Sequence, residues 1–331
     1  AAAPGACAGP GCGSRVGSRP VERVLVVYNP AARRGRSASR KQRLIESLRN
    51  AGVSYDLVET TGPGDARSLA KTAQERGYGI ILVAGGDGTM NETVNGMAEA
   101  ALPGVLLGKL ALFAAGTGND LAHALGAAKS PEGVAAAIAN GHTRRIDLGV
   151  LNVRNASGTS LRRYFANNAG MGLEASVTVE SSHVKRLSGS LLYLAAALRA
   201  LRSYRMPRAD IVWETGNGDA ESLEQRISLI SVGNSMRAGG GFRLTPDALL
   251  DDGMFDAAIA DALSRRRVLM LLPLALFGKH TGNRAVHMLR CRRLHARFDE
   301  PLPVHLDGEV VSTDAVEVEV EIEPGRLKLA I

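Results

Sequence analysis

GIILVAGGDGTMNETVNGMAEA, residues 79–100, contains a strand pattern, a glycine-rich turn and a helix pattern in succession. Residues 79–83 are a short apolar run, typical of a buried parallel strand, and residues 91–100 have a helix pattern. Glycines between such elements let successive backbone N–H groups face one point, where the helix dipole adds positive potential. The segment therefore predicts a phosphate-binding turn at 85–89, with an ordinary glycine turn capped by an aspartate as the alternative.

Asp87 lies in the middle of this turn, where its charge would repel a phosphate. The carboxylate makes chemical sense if it binds an accompanying Mg²⁺ or a ribose, or if it positions a hydroxyl group. Two further turns follow predicted strands, GTGND at 116–120 and Asn29-Pro30. The carboxyl ends of parallel strands share one edge of a sheet, so all three turns are expected at one ligand crevice. For the second turn, a plain helix N-cap is the alternative.

Strand and helix patterns alternate in the first part of the chain. Strands are predicted at 24–28, 53–59, 79–83 and 110–114, and helices at 37–50, 65–76 and 91–100. This alternation predicts an α/β domain with an open parallel sheet that is covered on both faces. We place this nucleotide-binding domain at residues 21–143, after a disordered tail at 1–20.

Composition changes after Arg145, where short strands separated by turns become the dominant pattern. Strands are predicted at 146–153, 164–169, 209–214, 227–232, 254–260, 304–306 and 316–322, with helical patches at 184–204 and 264–279. A mostly antiparallel, β-rich C-terminal domain is therefore expected at 144–320, joined through a hinge near 141–147. Residues 321–331 are left free to pack back on the first domain.

Composition and charge narrow the classes of partner. The chain has 331 residues, 45% hydrophobic, which favours two domains with sizeable cores. A net charge of +7 favours anionic ligands such as nucleotides or lipid headgroups, whereas only 4% aromatic residues speak against a nucleic-acid partner. The three cysteines Cys7, Cys12 and Cys291 suggest no disulfide framework, and the apolar runs fall short of the roughly 20 residues of a membrane span. A cytoplasmic protein is expected.

Five motifs occur in an order that is typical of one enzyme family. They are Asn29-Pro30, GGDGTMNE (85–92), GTGNDLA (116–122), PDALLDDGMF (246–255) and HLDGE (305–309). Over about residues 21–331 the chain resembles the diacylglycerol kinase catalytic family in its soluble bacterial two-domain form, to which sphingosine and ceramide kinases are related, and NAD kinases more distantly. The resemblance implies an ATP-dependent lipid kinase that makes phosphatidate from diacylglycerol, with the active site in the interdomain cleft.

The resemblance also implies which residues bind ATP and act on the lipid. The expected ATP contacts are Asn29, Pro30, Thr60, Gly85, Gly86, Asp87, Gly88, Thr89, Asn91 and Thr117. Glu309 is the expected general base on the lipid hydroxyl, and Asp307 would hold the metal or orient the site, with Asp87 completing the acidic set. A plain β-turn is the alternative for the DGE motif. Arg33 stands where the family turn has a glycine, so either that loop is reshaped or Arg33 reaches a phosphate.

A structural Mg²⁺ site is also implied by position. It would use the Asp252 carboxylate and the backbone carbonyls of Leu249 and Met254, and an Asp-Asp-Gly hairpin turn is an equally good interpretation. Four residues with metal-binding side chains follow, but their arginine-rich surroundings favour a solvated surface over a zinc site. These four are His280, His287, Cys291 and His295.

The helical patches at 187–204 and 264–279 are rich in leucine and carry nearby arginines. Each is either a core helix or the border of an apolar tunnel for acyl chains, with arginines facing anionic headgroups. A peripheral enzyme on the inner face of the membrane is expected, and a homodimer is left open. The alternatives for function are a ceramide or sphingoid-base kinase, a NAD kinase, and a non-catalytic nucleotide- or lipid-sensing module.

Overall fold

The computed structural model describes residues 22–32, 37–102, 104–116, 118–127, 130–184, 190–203, 205–238 and 241–331. Within these residues the N-terminal region alternates strands and helices. Its strands are β1 (Val24–Tyr28), β2 (Tyr55–Glu59), β3 (Ile80–Gly85) and β4 (Lys109–Ala114). Its helices are α1 (Ser37–Asn50), α2 (Asp65–Glu75), α3 (Asp87–Ala100), α4 (Asp120–Ala124) and α5 (Pro131–Asn140).

The four N-terminal strands pair in parallel in the order β2-β1-β3-β4. Every residue of β1 and β3 is buried, because helices cover both faces of the sheet. Alternate residues point to opposite faces, so Leu25 and Val27 join a core with α2 and α3. Val24 and Val26 join a second core with α1 and α5.

The C-terminal region is built mainly from antiparallel strands. They are β5 (Thr143–Asn155), β6 (Ser160–Phe165), β7 (Asn168–Gly172), β8 (Arg208–Glu214), β9 (Ala220–Gly233), β10 (Phe255–Asp261), β11 (Val286–Cys291), β12 (Arg293–Leu306) and β13 (Glu309–Ala330). Its helices are α6 (Leu173–Ser181), α7 (Ser190–Ala200) and α8 (Arg265–Leu276), with a short 3₁₀ helix at Lys279–Gly282. None of the helices in the described ranges is long and apolar enough to cross a bilayer.

The long strand β13 joins the two regions. It pairs antiparallel with β12 and β5, and its end at Lys328 and Leu329 pairs in parallel with β4. The hinge expected near 141–147 therefore falls mostly inside a strand, since β5 begins at Thr143 and is paired with β13 from there on. Asp147 on β5 reinforces the pairing with β13, because its carboxylate accepts hydrogen bonds from the backbone N–H groups of Gly325 (2.6 Å) on β13 and Gly253 (2.8 Å).

Several element boundaries differ from the sequence-based predictions. α3 begins at Asp87 rather than at residue 91, so most of the glycine-rich turn is the first turn of the helix. The single strand expected at 164–169 is two strands, β6 and β7, because backbone N–H groups between them bind Asp307 instead of a neighbouring strand. The helix α6 and the strand β11 were not predicted, and β12 and β13 are far longer than expected.

Candidate functional site

A cleft lies between the two regions, at the edge where β1 to β4 end. Turns after all four of these strands line one side, and β7, α7 and the β12–β13 turn line the other. The predicted site residues that line this cleft are Asn29, Pro30, Thr60, Gly86, Asp87, Gly88, Thr89, Asp307 and Glu309. The structure therefore brings together the first turn, the glycine-rich turn and the DGE motif, which are distant in the chain.

The glycines bring two loops into backbone contact. A Cβ atom on Gly116 would overlap Gly86 Cα, so the loop after β4 requires a glycine at this crossing. The Gly85 carbonyl accepts hydrogen bonds from the N–H groups of Ala115 (2.8 Å) and Gly116 (3.2 Å). Gly85 therefore lies behind the cleft rather than on its surface, although the sequence predicted that it contacts ATP. Its role in this geometry is close packing.

Asp87 is held by the loop that follows β4. Asn119 adopts a left-handed conformation with φ of 53°, and its side chain closes the loop by hydrogen bonds with both the N–H and the carbonyl of Gly116. This conformation directs the Asn119 N–H to Asp87 Oδ2, at 2.7 Å. Burial, followed by the charges of Asp120 and Asp307, raises the pKa of Asp87 to about 7. The cleft thus holds carboxyl groups that repel one another.

A divalent cation would relieve this repulsion. Asp87 and Asp120 both line the cleft, and Asp120 is buried. Among the described residues no three His, Cys, Asp or Glu side chains are placed to hold a metal by themselves. Two carboxylates nevertheless suit Mg²⁺, which usually takes its other ligands from water and substrate phosphates. Arg237 Nε lies 3.8 Å from Asp120 Oδ1 and balances part of this charge, so the two carboxylates fit a Mg²⁺ whose other ligands are waters and phosphate oxygens.

Asp307 makes four hydrogen bonds and has little capacity left for a ligand. Its carboxylate accepts from the Asn91 side chain (2.8 Å) and from three consecutive backbone N–H groups, those of Ala166, Asn167 and Asn168 (2.9–3.1 Å). These contacts tie α3 to the start of β7. They are the contacts of a group that orients the site, one of the two roles expected for Asp307.

Asn91 differs from its expected position. It was predicted to contact ATP, but its side chain is buried and binds Asp307 and the Tyr164 carbonyl (3.2 Å). It does not line the cleft. The physical reason is that Asn91 lies on the second turn of α3, where the helix turns it toward β6 and away from the glycine turn. Thr117 and Arg33, both expected near phosphates, fall outside the described residues.

Glu309 lies against the glycine-rich turn. A Cβ atom on residue 88 would overlap Glu309 Oε1, so the glycine at this position lets the carboxyl approach the first turn of α3. Desolvation in the cleft, followed by the charges of Glu92 and Asp307, raises the pKa of Glu309. A carboxyl in this position can accept a proton from a hydroxyl group that enters the cleft.

Three residues that shape the site were not among the predicted site residues, and two of them, Asp120 and Tyr193, line the cleft. Asn119 and Asp120 belong to the GTGND motif, in which the sequence analysis considered them only as an alternative helix N-cap. Tyr193 on α7 had no comparable sequence pattern. Burial, followed by the charges of Asp120 and Asp87, raises the pKa of Tyr193 to about 12, so its hydroxyl remains a hydrogen-bond donor at neutral pH.

The predicted structural Mg²⁺ site lies outside the cleft and contains an arginine. Arg290 forms an ion pair with Asp252 Oδ2, and its Nε lies 3.9 Å from Asp256 Oδ2. Asp252 Oδ1 accepts a hydrogen bond from the Met254 N–H (3.1 Å), and Leu249 is largely exposed. The charge that a metal would supply at Asp252 comes from Arg290. These side chains therefore do not favour a cation there, and the site stays a prediction.

The four candidate zinc ligands do not converge. His287 and His295 pair with Asp261 and Glu317 respectively, both at 2.7 Å. The solvated surface predicted for this stretch is wrong for His280 and Cys291, which are buried. Cys291 lies at the end of β11 with its side chain toward the core, and His280 is turned inward by the packing of the 3₁₀ helix.

An apolar cavity adjoins the cleft. It lies among α6, α7, α8 and the strands β9 and β10, and it shares Tyr193 and Gly308 with the cleft. Both predicted helical patches therefore border an apolar space, as expected if they line a tunnel rather than form core helices. The core interpretation holds for Leu201 but not for Leu191 and Leu198, which are exposed.

Comparison with known proteins places this fold and these motifs among enzymes. The Diacylglycerol kinase catalytic domain model matches residues 23–151, and the YegS C-terminal NAD kinase beta sandwich-like domain model matches residues 167–331. A diacylglycerol kinase of Bacillus subtilis is 31% identical over 291 residues, which are 87% of this chain and 90% of that protein. A probable lipid kinase YegS-like protein of Xanthomonas oryzae is 31% identical over 267 residues, 80% of this chain and 83% of that protein.

Solved structures share the fold at lower identity. The crystal structure of a putative diacylglycerol kinase from Bacillus anthracis superposes with a TM-score of 0.72 and 22% identity, covering 94% of this chain and 98% of that one. Yeast NADH kinase in complex with NADH gives a TM-score of 0.50 at 10% identity, covering 94% of this chain and 84% of that one. Both support the two-region architecture, an α/β region followed by a β-rich region.

Proposed function

The chain belongs to the family of diacylglycerol kinases and YegS-like lipid kinases, and from this premise we propose that it transfers the γ-phosphoryl group of ATP to the hydroxyl of diacylglycerol. The products would be phosphatidate and ADP. One observation carries the proposal: Asp87 from the α/β region and Glu309 from the β-rich region line one cleft, which adjoins an apolar cavity.

We infer that ATP lies along the turns after the N-terminal strands. Asn29 and Thr60 border this part of the cleft, and the Asn29 side chain is tied to α3 by a hydrogen bond to Thr89 Oγ1 (2.8 Å). The phosphates would lie at the start of α3, where free backbone N–H groups and the helix dipole favour anions. Asp87 and Asp120 would hold Mg²⁺. The ion would neutralise charge on the triphosphate and on the phosphoryl group in the transition state.

In the proposed reaction the lipid hydroxyl approaches the γ-phosphorus from the side of Glu309. A bond forms between the lipid oxygen and phosphorus while the bond from phosphorus to the bridging β–γ oxygen breaks. The hydroxyl proton passes to the Glu309 carboxylate late in the transfer, when the oxygen has become acidic. Asp307 acts through position: it holds the turn that carries Glu309 against α3.

The lipid chains would lie in the apolar cavity, and the enzyme would bind the membrane surface without crossing it. Apolar side chains on α7 and α8 point into solvent, among them Met270 and Phe277, which are 64% and 71% exposed. Arg202 follows α7 and Arg265 begins α8, and the Arg265 guanidinium donates a hydrogen bond to the Arg202 backbone carbonyl (3.2 Å). Apolar side chains next to cationic ones suit an anionic bilayer surface, such as the inner face of the cytoplasmic membrane.

A phosphoryl-transfer assay tests the proposal. The full chain is incubated with Mg²⁺ and ATP labelled at the γ-phosphate, and with diacylglycerol, ceramide, sphingosine or NAD as acceptor, the lipids in mixed micelles. Label is expected in a lipid product and not in NADP. Label in NADP alone would overturn the lipid-kinase proposal. ATP binding without transfer to any acceptor, in a folded sample, would instead support a non-catalytic sensing module.

A further inference from the structure

Glu174 and His305 form a polar corner of the apolar cavity. Glu174 lies in the first turn of α6 and His305 near the end of β12, and both line the cavity. The corner adjoins the cleft, because the Asn168 side chain that binds Glu174 (2.8 Å) belongs to a residue that lines the cleft. A lipid whose hydroxyl reaches Glu309 would pass this corner with its headgroup.

Both side chains are deeply buried and only partly satisfied. The His305 side chain is 2% exposed and that of Glu174 10%. Glu174 Oε1 accepts a hydrogen bond from the Asn168 side chain (2.8 Å), and His305 Nε2 lies 3.2 Å from the same oxygen without hydrogen-bond geometry. Within the described part of the chain, Glu174 Oε2 and both ring nitrogens of His305 have no hydrogen-bond partner. Buried polar atoms in folded proteins are nearly always paired, so these point to a missing ligand.

The surrounding strands make room for this pair. Gly170 on β7 lies directly opposite His305, and a Cβ atom there would overlap both the imidazole and the Glu174 carboxyl. Asn168, two residues before Gly170, links the pair to the β12–β13 turn. Its side chain binds Glu174, and its backbone N–H donates to Asp307 at 3.0 Å. The corner is therefore held in a fixed position relative to the turn that carries Glu309.

The unpaired atoms specify what a ligand must offer. Glu174 Oε2 needs a hydrogen-bond donor, whereas an imidazole nitrogen either donates or accepts according to its tautomer. Diacylglycerol has a single O–H group, the one that reacts, and its ester oxygens only accept. It would satisfy His305 and leave Glu174 Oε2 without a donor inside an apolar cavity. A lipid with a second O–H or an N–H group in its headgroup would satisfy both.

We propose that Glu174 and His305 are a second recognition site for the lipid headgroup and select acceptors that carry an O–H or N–H donor besides the hydroxyl that is phosphorylated. This inference rests on the proposed lipid-kinase function and names its substrate class more narrowly. Monoacylglycerols and lipids with a sphingoid headgroup belong to this class. Diacylglycerol, the acceptor of the proposed reaction, is still phosphorylated, but with a lower kcat/KM.

Three acceptors that differ at one carbon test the proposal. They are a 1-acylglycerol, its 2-O-methyl ether, which keeps the oxygen but loses the donor, and the matching monoester of propane-1,3-diol, which has neither. The first is expected to have a kcat/KM about ten- to a hundred-fold above the other two, the range typical of leaving a buried polar group unpaired. Equal values for the three acceptors would overturn the inference. Absence of transfer to any lipid would instead count against the proposed function itself.

Variants assign the discrimination to this corner. Glu174→Leu is expected to bring the ratio between the first and second acceptors close to one, mainly through loss of activity on the first. Glu174→Gln keeps the shape and offers a weaker, neutral acceptor, so it is expected to lower the ratio several-fold, and it decides the question if the leucine variant does not fold. Val177→Ala, in the same cavity, is the control and should change all three acceptors alike. An unchanged ratio in Glu174→Gln, with thermal stability retained, would remove Glu174 from substrate selection.

Discussion

Asp87 illustrates how a single residue joins fold and function. Its carboxyl lies between the glycine turn and the loop after β4, where Asn119 fixes it and other carboxyls surround it. The environment that raises its pKa also favours a cation, since Asp87 lies beside the Asp120 carboxyl, which Arg237 balances only from a distance of 3.8 Å. A group used in this way costs the unliganded protein stability.

That cost predicts a pH-dependent effect of Asp87→Asn on stability. The pKa of Asp87 is about 7 in the folded protein against an ordinary 3.8, so the folded state holds the proton more tightly. Stability from this group is present below pH 4, falls as pH rises toward 7 and stays low above it. Asn119 can still donate to the amide oxygen of an asparagine. Without nucleotide or metal, Asp87→Asn should therefore stabilise the protein by about 2–3 kcal/mol more at pH 8 than at pH 5, seen as a larger rise in melting temperature at pH 8.

Thermal unfolding of both proteins at the two pH values provides the measurement. Asp219→Asn, in an exposed turn, is the matched control and should show no such difference between pH 5 and pH 8. The same shift at both pH values in Asp87→Asn would show that the carboxyl titrates in its ordinary range.

Glu309 carries a second prediction at this scale. Glu309→Ala should lower turnover at least about 100-fold, the scale of losing a proton-transfer group, while leaving the melting temperature within a few degrees of the parent. Asp87→Ala should lower turnover by a similar factor. Val310→Ala, on the same turn and partly exposed, should keep near-normal activity. A Glu309→Ala enzyme with a normal rate would exclude this residue as the base.

Secondary-structure elements show what the sequence can and cannot specify. The bounds of β1 and α1 were predicted correctly, because β-branched runs and 3.6-residue periodicity are local patterns. The start of α3 was placed four residues too late, since its first turn is also the glycine-rich turn. The bonds of Asp307 were beyond prediction: its partners Asn91 and Asn167 lie 216 and 140 positions away in the chain. The resemblance already implied Glu309 as the base and left Asp307 two roles; the structure adds the four hydrogen bonds of Asp307, which favour the orienting role.

The exposed faces of α7 and α8 predict how the protein meets lipid. Leu198 on α7 and Phe277 after α8 are 50% and 71% exposed. Replacing both with glutamate removes apolar area and adds charges that an anionic bilayer repels. We expect binding to vesicles containing phosphatidylglycerol to weaken at least about ten-fold, since each such apolar side chain contributes about 1.5–3 kcal/mol when fully buried.

Vesicle sedimentation measures this binding, and a short-chain, water-soluble acceptor measures the chemistry separately. Activity on that acceptor should stay within about two-fold, because neither side chain lines the cleft. Val212→Glu is the control, as Val212 is an equally exposed apolar residue on β8. Equal loss of vesicle binding in the control would show that added charge, and not this face, is responsible.

In the part of the chain that the structure describes, all 13 strands belong to one sheet that connects the two regions. Sequence patterns predicted two regions of different type, and the structure has both. They could not reveal that β13 runs for 22 residues and pairs with β12, β5 and β4 in turn, because pairing partners are set by tertiary contacts. The cleft lies beside this shared sheet. The two walls of the site are therefore held in one body, which suits a reaction that needs Asp87 and Glu309 at a fixed separation.

This continuity predicts that both regions unfold together. Leu329 near the end of β13 is buried in the core of the α/β region, whereas Trp213, the single tryptophan, lies on β8 in the β-rich region. Leu329→Ala should cost about 2–5 kcal/mol by opening a cavity. Tryptophan fluorescence and far-ultraviolet circular dichroism should then show one coincident transition that moves to lower temperature by the same amount for both probes. Val212→Ala, beside the tryptophan but exposed, should leave the transition in place. If Leu329→Ala instead produced an early dichroism transition while the tryptophan signal kept its original midpoint, the α/β region would be unfolding alone, and β13 would not couple the two walls of the cleft.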